Sequence, residues 1–96
     1  MVNHVVMFKF KPAVAPEERQ TYIKELGSLK HKIAQVQGME VGENVVSSPR
    51  AYDVVLIATF ADREVLDTYA RHPEHQLVMQ RTREMCESVA VVDYLK

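Results

Sequence analysis

Two of the four histidines in this chain stand where a proton can be moved: His4 near the start, and His75 at the end of His72-Pro73-Glu74-His75. An imidazole titrates near neutral pH, so a positioned histidine can act as general base or acid without a metal. His75 begins a helical stripe with Val78, Met79 and Thr82, which turns it inward. It can serve there as a base, or sit as a buried histidine satisfied by a backbone carbonyl or by Tyr69. His4 shares a strand face with Val6, Phe8 and Phe10. A polar group on such a face needs a partner or a cavity, because burial without a hydrogen bond costs roughly 1–3 kcal/mol. The alternative is a strand-end histidine near solvent. Tyr69 can hydrogen-bond a substrate carbonyl or orient His75, or simply pack with its hydroxyl at the surface.

The remaining candidates point away from other chemistries. His72 reads as a turn residue at a helix–helix corner made by Pro73, and His31, between Lys30 and Lys32, reads as solvated. A metal site wants several converging nitrogens or carboxylates. His72, Glu74 and His75 imitate one in spacing, but the intervening proline turns His72 off the inner face, so no metal is expected. Asp53, Asp62, Asp67 and Asp93 show no pairing suited to acid–base work. Three glycines do not make a phosphate loop, and Ser47 and Ser48 lack the context of an activated nucleophile. No cofactor is expected. Cys86 is the only cysteine. It excludes an intramolecular disulfide or a cysteine metal cluster, reads as a small core residue, and suits a reducing, cytoplasmic setting.

These side chains must be held by one domain, residues 1–96, since the length supports a single core. A net charge of −1 with scattered Lys and Arg argues against a nucleic-acid partner. The segment from Met1 to Phe10 is too short and too alternating for a secretory signal. No apolar run approaches the ~20 residues that cross a bilayer, so no membrane partner is expected.

Alternation from Val2 to Lys11 predicts a strand that Pro12 ends. Pro16, Glu17 and Glu18 open a helix carrying Tyr22, Ile23, Leu26, Leu29, Ile33 and Val36, with Gly38 as its stop. Met39–Val46 reads as a weaker strand and Tyr52–Phe60 as the strongest one. Asp62 caps a short helix with Val65, Leu66 and Tyr69. Pro73 interrupts it and starts another, and Ser88–Tyr94 is a final strand. The order β-α-β-β-α-β predicts an α+β, ferredoxin-like fold: one four-stranded antiparallel sheet with helices on one face.

Helices cover only one face of such a sheet, so the other face should carry polar residues at alternate positions. It does not. Val55 and Ile57 alternate with Val54, Leu56, Ala58 and Phe60, and Ala90 and Val92 alternate with Val89 and Val91. A bare apolar sheet face is rare in a soluble monomer, and a two-fold related copy is the economical cover. A homodimer through the sheet face is therefore expected.

The opening strand His4–Phe10, the segment Tyr52–Tyr69, His72-Pro73-Glu74-His75 and the terminal Val91-Val92-Asp93-Tyr94 together resemble the Dabb family of stress-responsive dimeric α+β barrel proteins, over essentially the whole chain. The resemblance implies that two sheets face each other as a barrel, with a pocket in each protomer between sheet and helices. One enzymatic branch, the plant polyketide cyclase olivetolic acid cyclase, closes a ring by cofactor-free aldol chemistry. By similarity, its working histidines match His4 and His75 and its supporting tyrosine matches Tyr69. A further pocket histidine of that branch is replaced here by Val54.

Three functions are compatible with these residues. The first is proton transfer on a small apolar carbonyl compound, of cyclase or lyase type. It would occur in a pocket lined by Phe8, Leu26, Leu56, Val78 and Met79 with His4, Tyr69 and His75 as the polar groups. The second is a non-catalytic structural or stress-response barrel. The third, on fold analogy alone, is a monooxygenase of the wider dimeric α+β barrel group.

Overall fold

In the computed structural model, which describes all 96 residues, the chain runs β1 (Val2–Phe10), α1 (Pro16–Lys32), β2 (Gly38–Glu43), β3 (Val54–Phe60), α2 (Arg63–Arg71), α3 (Pro73–Met85) and β4 (Cys86–Leu95). The strands form one sheet in the order β2-β3-β1-β4, and every neighbouring pair is antiparallel. This is the ferredoxin-like arrangement, with its last helical stretch divided in two.

Local chemistry sets the helix boundaries. Pro16 occupies the first turn of α1, and Glu18 accepts the Ala15 backbone N–H at 3.3 Å. Asp62 caps α2 by accepting the Val65 N–H at 2.9 Å. At the break before Pro73, His72 Nδ1 accepts the Glu74 N–H at 3.1 Å, so His72 is the side-chain cap of α3.

Several boundaries differ from expectation. α1 ends at Lys32 rather than running to Gly38, because Ile33 adopts an extended backbone that drops its side chain, fully buried, into the core. Gly38 instead opens β2. β2 stops at Glu43, short of Val46, because the Asn44 side chain turns back to donate to the Val46 carbonyl at 2.9 Å. β3 starts at Val54 rather than Tyr52, since Asp53 is used as a clamp. Its N–H donates to the Phe8 carbonyl at 2.8 Å, and its carboxylate accepts the Phe10 N–H at 2.8 Å. β4 follows α3 without a loop, two residues before Ser88.

The core lies between sheet and helices. Val6, Phe8, Phe10, Val54, Leu56, Ala58 and Phe60 meet Tyr22, Leu26, Leu29, Ile33, Tyr69, Val78 and Met85 there. Register puts Val5, Met7, Val55, Ile57, Ala90 and Val92 together on the opposite, bare face.

Candidate functional site

β1, β3, β4, α1, α2 and α3 border a cavity of about 140 Å³. Its wall includes His4, Tyr69 and His75, and also Phe8, Leu26, Leu56, Val78 and Met79. All eight sequence-selected site residues thus border one space, although they come from five of the seven elements. Val6, Leu29, Thr82, Val89 and Val91 complete the lining. His31 is exposed on α1, while His72 is spent on capping α3. The volume is close to that of an apolar cavity that holds one benzene-sized ring.

The polar groups gather at one end. The Tyr69 ring stands 4.5 Å from that of His75 and 6.1 Å from that of His4, centre to centre. Phe60 packs against Tyr69 at 4.7 Å. Tyr69 is 2% exposed, and desolvation pushes its hydroxyl up to about 12. It therefore stays protonated and available as a donor.

Both histidines are held through Nδ1. His75 Nδ1 lies 3.0 Å from the Ala70 carbonyl oxygen. A carbonyl only accepts, so Nδ1 carries the proton and Nε2 the lone pair. Burial, reinforced by repulsion from His4 and His72, holds His75 below its ordinary range. The ring is thus a neutral base at pH 7. His4 Nδ1 is hydrogen-bonded to the Asp93 carboxylate, which fixes its tautomer in the same sense.

Asp93 is the residue that sequence reasoning missed. Its spacing in the sequence shows no pairing, yet it lies directly opposite His4 in the β1–β4 register. The signal was available only once that register was known. Asp93 itself lines a wider, separate cleft of about 390 Å³ that runs past Arg63 and Leu95, and reaches the cavity wall through its bond to His4.

The opposite end of the cavity is quieter. The Thr82 hydroxyl donates to the Val78 carbonyl at 2.9 Å, so the Tyr22 hydroxyl donates to Thr82, and burial pushes the Tyr22 phenol upward. Cys86 is buried in the same core, and desolvation raises its thiol above the usual range, which makes it a poor nucleophile. No group of three or more His, Cys, Asp or Glu side chains is placed to hold a metal ion. No helix is long and apolar enough to cross a membrane.

A family model described as the stress responsive A/B barrel domain matches residues 2–95. The stress-response A/B barrel domain-containing protein HS1 of Arabidopsis thaliana is 27% identical, over 97% of this chain and 87% of that protein. Among solved structures, a dimeric ferredoxin-like protein of unknown function from Bacteroides fragilis is 30% identical. It superimposes with a TM-score of 0.82 over 99% of this chain and 95% of that one. The hydroxynitrile lyase of Passiflora edulis superimposes with a TM-score of 0.88 over 99% of this chain and 92% of its own, at 18% identity. At that identity the likeness is one of fold.

Proposed function

This chain belongs to the stress-responsive A/B barrel domain family, and we propose that it is a homodimer whose protomers each use the enclosed cavity for cofactor-free proton transfer on a small, mostly apolar carbonyl compound. The observation that carries this reading is the convergence of a neutral His75, a protonated Tyr69 and an anchored His4 at one end of an otherwise apolar cavity. A few polar groups focused in an apolar pocket is the usual pattern of a ligand site.

In this reading His75 Nε2 removes a proton from the carbon next to the carbonyl. The C–H electron pair moves into the carbonyl to give an enolate, and the Tyr69 hydroxyl donates to its oxygen. The enolate carbon then either recovers the proton or attacks a second carbonyl. His4, oriented by Asp93, holds the second proton-transfer position. A positioned base contributes about 10²–10⁴ in rate, and a donor to a developing oxyanion about 10²–10³.

Dimerisation is supported by the apolar outer face of the sheet and by the dimeric Bacteroides fragilis relative. The whole chain, residues 1–96, acts as one domain. A single free cysteine suits a reducing compartment such as the cytoplasm.

The test is hydrogen–deuterium exchange next to the carbonyl of cyclohexanone, followed by proton NMR. Wild-type protein should accelerate it. His75→Ala and Tyr69→Phe should abolish the acceleration while keeping the wild-type melting temperature. No acceleration by wild type, together with loss of folding in His75→Ala, would overturn catalysis in favour of a structural barrel.

A further inference from the structure

The wall of the cavity is most exposed on β4, while His4, His75 and Met79 are half-buried. Val89 is 42% and Val91 52% exposed, whereas the apolar lining from β1, β3 and α1 is buried. The mouth therefore lies along the β4 edge, which the helices do not cover. A second exposed apolar feature is the connection between β2 and β3, where Val45 is 93% and Val46 70% exposed. We infer that the Val45–Val46 tip of one protomer closes the mouth of the cavity in its partner. This rests on the dimer proposed above.

The shape of the outer sheet face decides how two copies meet. The bulk lies toward β4, with Val92 and Tyr94, while β2 presents Gly38, Glu40 and Gly42. Neither glycine is needed by its own chain. Neither has a positive φ. A Cβ at Gly38 would come no nearer than 3.9 Å to another side chain, and one at Gly42 no nearer than 3.5 Å, which are ordinary contacts. Room at β2 and bulk at β4 fit each other when β2 of one copy lies over β4 of the other. A two-fold axis parallel to the strands produces that pairing. The perpendicular axis would set β4 against β4, holding the sheets apart at one edge and leaving a gap at the other. Glu40 sits on an edge strand, where its carboxylate stays in water above the apolar stem.

The same axis fixes the level of the tip. Glu43 pairs with Val54, Val54 with Phe8, and Phe8 with Val89, so these four residues form one row across the sheet. Rotation about an axis parallel to the strands preserves rows. The tip begins two residues beyond Glu43, so it reaches the partner's β4 edge within two residues of the level of Val89, at one end of the mouth. Two valines there would exclude water from an opening that one protomer leaves wet.

The experiment has two arms on the intact protein. In the first, p-benzoylphenylalanine replaces Val45, and the light-induced product is sized and mapped by mass spectrometry. The expected product is a cross-linked dimer joined to residues 79–91. In the second, the methyl signals of Val89 and Val91 are followed with a soluble paramagnetic probe. They should be protected in wild type and lose that protection in a Val45→Gly/Val46→Gly variant that remains dimeric. A monomeric wild type by light scattering overturns both the dimer and the closure. A dimer that cross-links elsewhere, or whose Val89 and Val91 methyls are equally accessible with and without the valines, overturns the closure alone. Neither arm requires a ligand, so failure of the proton-transfer reading leaves both intact.

Discussion

The two faces of this sheet are built from nearly the same residue types and do different work. In β3, Val54, Leu56, Ala58 and Phe60 are buried under the helices, whereas Val55 and Ile57, between them, are only partly covered. On one face apolar area closes a core and leaves a small cavity beside it; on the other the chain's own helices leave it uncovered, which is the area the proposed dimer would use. Hydrophobic composition alone therefore does not tell a core face from an interface. What separates them is which face the connecting helices return to.

Substitutions along β3 and at the helix break should sharpen that contrast. The largest effect is expected from Phe60→Ala. Phe60 is fully buried against Tyr69, and loss of such a ring costs about 3–5 kcal/mol, to be read as a lower urea midpoint. Ile57→Asp, three residues earlier on the bare face, should leave the protomer folded by circular dichroism but halve the mass seen by light scattering. A large loss of protomer stability there would show that Ile57 belongs to the core and break the comparison. A smaller effect is expected where the helix layer is punctuated. His72→Ala removes the cap on α3 and should cost about 1 kcal/mol, with the dimer unchanged.

The smallest effect is one of pH. Burial lowers His75 from its unfolded value of 6.5, so between the folded and unfolded values the unfolded chain binds the proton more readily. The stability due to this group is complete above 6.5 and is lost as pH falls through the lower folded value. Melting temperature should therefore drop on acidification more steeply in wild type than in His75→Gln. Equal slopes would place His75 in water rather than in the cavity.

Much of this was legible beforehand because it depends on local rules. Alternation placed His4 with Val6 and Phe8, helical spacing placed His75 with Val78 and Met79, and Pro73 located the corner. Where local rules compete, the reading slipped. Ile33 has helical spacing yet leaves the helix, because an extended backbone at that point buries its side chain better. Val45 and Val46 have strand propensity, but the Asn44 turn prevails. Asp93 shows the limit most clearly. Its meaning depends on being opposite His4, 89 residues away, and only pairing of the first and last strands creates that neighbour.

The sequence by itself determined the order of elements, the faces that His4 shares with Val6 and His75 with Val78, and the excess of apolar surface that one chain does not cover. These follow from periodicity and composition, which are properties of short segments. The tertiary structure alone decided that the three side chains border the same space, that Asp93 and Ala70 hold the two imidazoles through Nδ1, and that the cavity opens along β4. Those depend on register and on the distance between sheet and helices, which no single segment encodes.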